Sequence, residues 1–542
     1  MRKILLLSLI TQLCAQGSVM LVGGNAESYG GWSDDPYGWF VQQADSGKIV
    51  NIDVSEASDW YPSYFIHLGG DSSSHGLQIP NIFSANSQFT YHDLVTADGI
   101  FIEGGDQWDY VQTWKGTLVD SAIHVVFNNG GVIGGTSAGL AILGEIVFDA
   151  ENGSLTSDQA IANPYHPRIS FTNDFLDILP GVLTDSHFND RGRLGRLVTM
   201  VARRAQDQGE DILGLGMGIK TAFCIGPDNI GTVYGKMMTV LHQTDETELY
   251  CEPVEPLRFT HLAFHQLLHG AVYDINNRVL VDPGENMSYY EMPYEFVNNY
   301  SDLTINGSNQ SSENYGEIIV TGIMGDSDNW WYGGLGTTVG DSNVPDAVII
   351  PKMWNDYYYF PNRIIGGLYG IASDPPKFGL YLDDNCSVSI NENGLMTVSN
   401  YAHILDAFPD GYAGYLNGIL PGISGATLHF FTEGDTFDLS AYYAVESIDG
   451  ELINPNSFEI QSLYPNPFNP RTTFRYSLIK QGEVKVNVFN IKGERVDEVV
   501  NELQTPGEYS IRWTGEYVSS GIYYFQMQFE NDVEVVKGVL VK

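Results

Sequence analysis

Short apolar runs separated by longer mixed segments mark the first 280 residues of this chain. Val19-Met20-Leu21-Val22 leads into Gly23-Gly24-Asn25, and Lys48 to Asp53 forms a second run. Tyr64 to Leu68 is a third. Gly99 to Glu103 is a fourth and ends in Gly104-Gly105-Asp106-Gln107. The spacing predicts buried strands of a largely parallel sheet covered on both faces, hence an α/β fold. Ile123 to Phe127 fits a helix end or a strand. Val132-Ile133 predicts a further strand running into Gly134 to Gly139, with a helix-compatible run at Leu140 to Leu143. Ligand sites in such sheets lie beyond the carboxyl ends of strands, so Gly104, Gly105 and Ser137 are expected together.

The pattern changes at about residue 281. From there to 450 the chain is rich in Tyr, Asn, Asp and Gly, yet it repeats landmarks of the preceding segment. Leu179-Pro180 leads to His187-Phe188-Asn189-Asp190-Arg191, as Ile350-Pro351 leads to Tyr359-Phe360-Pro361-Asn362-Arg363. Gly214 to Ala222 aligns with Gly379 to Ser387. Gly270 with Tyr273-Asp274-Ile275 aligns with Gly434 and Phe437-Asp438-Leu439. Preserved order and spacing predict that residues 281–450 are a degenerate partial repeat of a domain spanning 18–280. A linker is expected at 451–461. In residues 462–542 a proline-punctuated entry, Tyr464 to Pro470, precedes period-2 runs at Val484–Phe489, Tyr509–Trp513 and Gly521–Met527. That alternation predicts a small β-sandwich.

Charge narrows the partners. The chain carries 26 Lys+Arg against 67 Asp+Glu, a formal net charge of −41, so nucleic acid and anionic lipid would repel it. The same charge suits a cationic substrate or general solubility. Arg2-Lys3, the apolar stretch Ile4 to Leu13 and small residues near Ala15 to Ser18 read as a signal peptide over 1–17, which implies export. Beyond Cys14 only Cys224, Cys251 and Cys386 remain, too few for a disulfide framework; Cys224 with Cys251 is the nearer pair for one bridge. No CxxC or HExxH occurs, so neither a metal nor a cofactor is expected.

The chemistry gathers at Gly135-Thr136-Ser137-Ala138-Gly139, a G-x-S-x-G sequence between a strand and a helix signal. That is the context of a nucleophile elbow, in which a serine sits on a strained turn. The following helix would favour a developing oxyanion by its N-terminus. Backbone N–H groups of Gly105 and Ala138 would form the oxyanion hole. The run Asp185 to Leu197 holds a histidine, His187, and three arginines. Arg191, Arg193 and Arg196, at spacings of two and three, can grip a carboxylate through paired N–H bonds.

The run Asp185 to Leu197 fills D-x-H-F-x-x-R-x-R-x-x-R-L, and Gly134 to Gly139 and Gly104 to Gln107 supply GGTSAG and GGDQ. With these motifs the chain resembles the cyanophycinase family of serine peptidases, related to the aspartyl dipeptidases. The resemblance implies a flavodoxin-like, class I glutamine-amidotransferase-like sandwich. It also implies hydrolysis of Asp-containing peptides, or of a β-linked Asp-Arg polyamide. By motif position Ser137 is the nucleophile and His187 the base, and Gln107, Asp185, Arg191, Arg193 and Arg196 bind substrate. A homodimer is also implied, unless the repeat fills that interface within one chain. One departure stands out. The family carries an acidic pair in a G-I-D-E-N-T-A segment, whereas Gly218 and Ile219 stand there in this chain. Losing the acid behind the histidine can cost about four orders of magnitude in rate. Three readings stay open: Asp383 or Asp384 of the repeat serves His187, Asp185 or Glu103 does, or the protein is an inactive surface module that binds peptide or polymer. The segment 462–542 resembles the sorting domain of type IX secretion substrates, through Tyr464 to Pro470, Val486 to Asn490 with Gly493, and Ser519 to Tyr523. It implies type IX export machinery as a partner and a secreted or cell-surface protein.

Overall fold

Four of the strands lie where the apolar runs predict them. They are β1 (Ser18–Val22), β2 (Ile49–Asp53), β4 (Gly99–Ile102) and β5 (Val132–Thr136); β3 is His75–Gln78. All five run parallel in the order β3-β2-β4-β5-β1. Thr221–Ile225 then pairs antiparallel with β1 and continues the sheet to nine strands. Alternate residues of each parallel strand face opposite cores. Met20, Val22 and Phe101 join Phe40 and Phe65 on one side. Leu21, Ile52, Ile100, Ile102 and Ile133 join Trp114 on the other. This is a flavodoxin-like α/β sheet covered on both faces. The computed structural model describes residues 16–24 and 27–290, discontinuous stretches between 303 and 438, and most of 458–542.

Tyr64 to Leu68 is not a strand. It belongs to a helix, α1 (Trp60–His67), with Tyr64 and Phe65 buried. Trp60 pairs with Tyr64, ring centroids 4.6 Å apart, and Tyr61 with Phe65. These i,i+4 contacts exist only on a helix. The short aromatic run carries no period that separates the two states. The strand that follows in the sheet is β3, an edge strand of only four residues and partly exposed, which no apolar run marks. Ile123 to Phe127 falls within a helix, Leu118–Asn128.

A second sheet joins the two long segments of the chain. Leu179–Asp185 and Leu213–Met217 are parallel; Met237–His242 and Arg258–Leu268 then add antiparallel. Arg258–Leu268 pairs antiparallel with Leu420–Thr432, and from there the sheet continues through Tyr401–Asp406, Phe378–Leu382 and Ala347–Pro351. Counting outward from that seam, the pairing senses are antiparallel, antiparallel and parallel on both sides. Strands from residues 18–280 and from the described part of 281–450 therefore share this sheet. Of the repeat landmarks, Tyr359 to Arg363 lies outside the described residues, as do Asp384, residues 1–15 of the leader and residues 451–457 of the linker.

Cys224 and Cys251, the nearer pair for a possible bridge, form none; both thiols are free and buried. Cys224 belongs to the core on one face of the first sheet and Cys251 to the core on the other. No described helix is long and apolar enough to cross a membrane.

The chain divides into two compact units, Met1–Tyr443 and Ala444–Lys542. In the second, a three-stranded sheet (Phe458–Tyr464, Arg471–Leu478, Gly507–Thr514) and a four-stranded sheet (Arg495–Gln504, Gly482–Asn490, Gly521–Phe529, Asp532–Leu540) form the strand-rich body. Phe474, Trp513 and Phe525 pack between them, the last two edge to face at 5.2 Å.

Candidate active site

The G-x-S-x-G sequence makes the turn that its glycines permit. Ser137 joins β5 to a helical turn, Ala138–Ala141, with φ 54° and ψ −111°. A side-chain-bearing residue held at positive φ is strained, a recurrent property of reactive serines. Two backbones pass too closely here for side chains. A Cβ on Gly135 would lie 2.4 Å from the Gly139 carbonyl carbon, and one on Gly139 would lie 2.3 Å from the Ile102 oxygen. The Ser137 N–H donates to Val22 O at 3.0 Å and ties the turn to the end of β1. The following helix has only four residues, so the expected dipole is small and the N–H groups themselves must carry the oxyanion. Gly105 and Ala138 line the same cavity as Ser137. The Glu103–Gly104 turn is held by Tyr110, whose hydroxyl lies 2.9 Å from Asp53 Oδ2 and 3.0 Å from Glu103 O. Burial and the Asp53 charge push that phenol well above its usual range.

His187 meets the serine from the second sheet. It follows the strand Leu179–Asp185, has φ 46°, and its N–H donates to Gly23 O at 2.9 Å. Its Nε2 lies 2.9 Å from Ser137 Oγ. The ring packs where Gly24 has no side chain: a Cβ there would sit 2.7 Å from Cε1 and Nε2. On the far side of the ring, Nδ1 faces Asp190 Oδ2 at 3.7 Å. Asp190 was not singled out by the sequence pattern. The signal was a carboxylate three residues after the histidine, at one of the unspecified positions of the motif.

The acids weighed from the sequence are committed elsewhere. Asp383 hydrogen-bonds to Tyr401 Oη at 3.0 Å. It follows Phe378–Leu382, six strands along the sheet from Leu179–Asp185, on the order of 29 Å at about 4.8 Å per strand. That separation corrects the expectation that Asp383 reaches His187; Asp384 lies outside the described residues. Glu103 accepts from Asn51 Nδ2 and, at 2.6 Å, from the Ser58 N–H, and burial raises its pKa. Asp185 is clamped by arginines. Arg196 Nε donates to its Oδ2 at 2.9 Å and Nη2 to its Oδ1, while Arg193 Nη1 lies 3.2 Å from Oδ1.

The three arginines are therefore not equivalent. Arg196 is 2% exposed, also donates to Ser154 Oγ at 2.8 Å, and stacks over Phe148. Arg193 also donates to Ser186 O at 2.7 Å. Arg191 is half exposed and among the described residues has only a distant carboxylate, Asp190 Oδ2 at 3.9 Å. Gln107 donates to Phe148 O at 3.3 Å. Together these residues line a cavity of about 210 Å³ that opens beside Ser137 and His187. Among the described residues no cluster of His, Cys, Asp and Glu could hold a metal ion.

Residues 58–215 match the pattern of peptidase family S51, and residues 462–542 match the secretion system C-terminal sorting domain. A cyanophycinase from Synechococcus elongatus is 31% identical over 187 residues, 34% of this chain and 54% of that protein. The chain thus spans about half the length of that relative. A cyanophycinase from Geminocystis herdmanii is 27% identical over 271 residues, 48% of this chain and 94% of that protein. Among solved structures, a peptidase from an acI-B1 Actinobacterium aligns at 18% identity with a TM-score of 0.33, covering 43% of this chain and 93% of that one.

Proposed function

We propose that this chain, which carries an S51 peptidase domain and a secretion-system sorting domain, is an exported serine exopeptidase. Its substrates are Asp-containing peptides, of which a β-linked Asp-Arg polyamide is one class. The observation that carries the reading is the 2.9 Å contact between Ser137 Oγ and His187 Nε2 on a strained turn. A serine hydroxyl is a weak nucleophile until a base takes its proton, and histidine titrates in the right range. Ser137 attacks the scissile carbonyl, and His187 accepts the hydroxyl proton and passes it to the leaving amine. The N–H groups of Gly105 and Ala138 stabilise the oxyanion. Water, activated by the same histidine, then releases the acyl group. Arg191 with Gln107 receives the substrate carboxylate, because Arg193 and Arg196 already serve Asp185. The sorting domain implies export, and its partner is the type IX secretion machinery.

A fluorophosphonate probe tests the reading without knowledge of the substrate. Wild type should label and Ser137→Ala should not; labelling of Ser137→Ala would defeat the nucleophile assignment. Hydrolysis of Asp-X and β-Asp-Arg peptides then defines the substrate. A second reading, an inactive peptide- or polymer-binding module, is favoured by Gly218 and Ile219 standing where the family's acids belong. Absence of labelling in folded wild type would select it.

A further inference from the structure

The acid behind His187 has moved rather than vanished: we propose that Asp190 is the residue that orients the histidine. The inference rests on the peptidase reading above. Asp190 sits three residues after His187 in a tight turn. The Arg191 N–H donates to His187 O at 3.2 Å, and the Arg193 N–H to Phe188 O at 3.0 Å. That curl carries the Asp190 carboxylate back to the Nδ1 face of the ring, 3.7 Å away. Its side chain is 18% exposed. Its other oxygen, Oδ1, is buried with no hydrogen-bond partner among the described residues. A buried carboxylate oxygen without a donor is costly unless charge nearby compensates it. An imidazolium formed on His187 during turnover supplies that charge, with Arg191 as the other cation in reach at 3.9 Å.

One of the two positions of the missing acidic pair has no room for a side chain: a Cβ on Gly218 would lie 2.9 Å from both Asn189 Oδ1 and Met237 O, and the other position carries buried Ile219. Asp185, Glu103 and Asp383 are each held by other partners. Asp190 thus acts as a positioning residue: it selects the Nδ1–H tautomer, leaves Nε2 free to take the serine proton, and stabilises the imidazolium. The 3.7 Å gap is longer than a working hydrogen bond and is expected to close when substrate fills the cavity, since such contacts tighten in reactive complexes.

The test measures the rate of fluorophosphonate labelling against pH in the full chain. Among the described residues, the groups facing His187 are Ser137, Asp190 and, beyond it, Arg191. Asp190→Asn should label at least 100-fold more slowly per folded molecule, and Asp190→Glu should recover at least a tenth of the wild-type rate. Thermal unfolding should show both variants folded. If Asp190→Asn labels within threefold of wild type, the proposal fails while the serine assignment stands. If Asn and Glu are equally slow, the carboxylate is not the active feature and the proposal fails likewise. If wild type does not label, or Ser137→Ala does, it is the peptidase reading that fails. Should Asp190→Asn not fold, the Glu variant decides alone: a rate below a hundredth of wild type overturns the assignment.

Discussion

Replacing Arg196 by Met removes a buried guanidinium while keeping much of its volume. Arg196 and Asp185 are 2% and 4% exposed and meet through two N–H···O contacts. Removing one partner leaves the other charge desolvated, typically at a cost of about 3–5 kcal/mol. Arg193 remains 3.2 Å from Asp185 Oδ1, which argues for the lower end, about 3 kcal/mol. At roughly 2 °C per kcal/mol in a large unit, the midpoint should fall by about 6 °C. Eight of the nine tryptophans lie in the first unit, so intrinsic fluorescence reports its unfolding with little interference from the second. Asp185→Asn should destabilise by a similar amount. The double variant should lose less than the sum by at least about 1.5 kcal/mol, because the orphaned charge has gone. If instead Arg196→Met leaves the midpoint within about 1 °C of wild type and only raises KM, Arg196 binds substrate and the internal-clamp argument is wrong.

Three further outcomes follow from the same geometry. Arg191→Met should raise KM for an Asp-containing peptide about 10–100-fold, the worth of a charge-assisted bidentate contact, with an unchanged midpoint; peptide kinetics and a melt decide it, and an unchanged KM removes Arg191 from the substrate site. Burial lowers His265, His403 and His429 to about 3 each. Folded protein keeps them neutral while the unfolded chain protonates near 6.5, so stability is full above 6.5 and falls between 6.5 and 3, by up to about 1.4 kcal/mol per pH unit for each. A His403→Gln/His429→Gln variant should have a shallower midpoint-versus-pH curve from pH 6.5 to 5, and parallel curves would count against it. Deleting 281–443 uncovers the strand Arg258–Leu268, eleven residues carrying Phe259, Leu262 and Phe264. Such an edge invites pairing, so light scattering should find oligomer or aggregate, and a soluble monomer would refute the claim.

The elbow was legible because its requirements are local. Gly135 and Gly139 are needed wherever a strand turns into a helix around a serine, and the apolar pair before them marks the strand. The His187 motif was legible for the same reason. Tyr64 to Leu68 misled because five apolar or aromatic residues fit either a strand or a helix face, and only contacts to Trp60 and Tyr61 decide. Edge strand β3 offered no apolar signal, being half solvated. The pairing of Arg258–Leu268 with Leu420–Thr432 spans about 160 residues, a separation at which a single sequence carries landmarks but not contacts. Charges were visible, partners were not. Three arginines in one run look alike until burial separates Arg196 from Arg191.

That separation orders the site into a sequence of dependencies. Arg196 and Arg193 neutralise Asp185 at the end of its strand. Arg193 also bonds the Ser186 carbonyl, so the same clamp fixes the first residue of the turn that carries His187 and Asp190. A fixed turn is what makes a carboxylate at i+3 usable in place of one supplied by a distant loop. The orienting group then moves with the ring it orients, and misplacement of one displaces both. Damage to the clamp should therefore lower kcat through the turn and lower stability together, whereas damage at Arg191 should raise KM alone. The three arginines of the run thus separate into two that hold Asp185 and one, half exposed at the cavity, to which the proposed function assigns the substrate carboxylate.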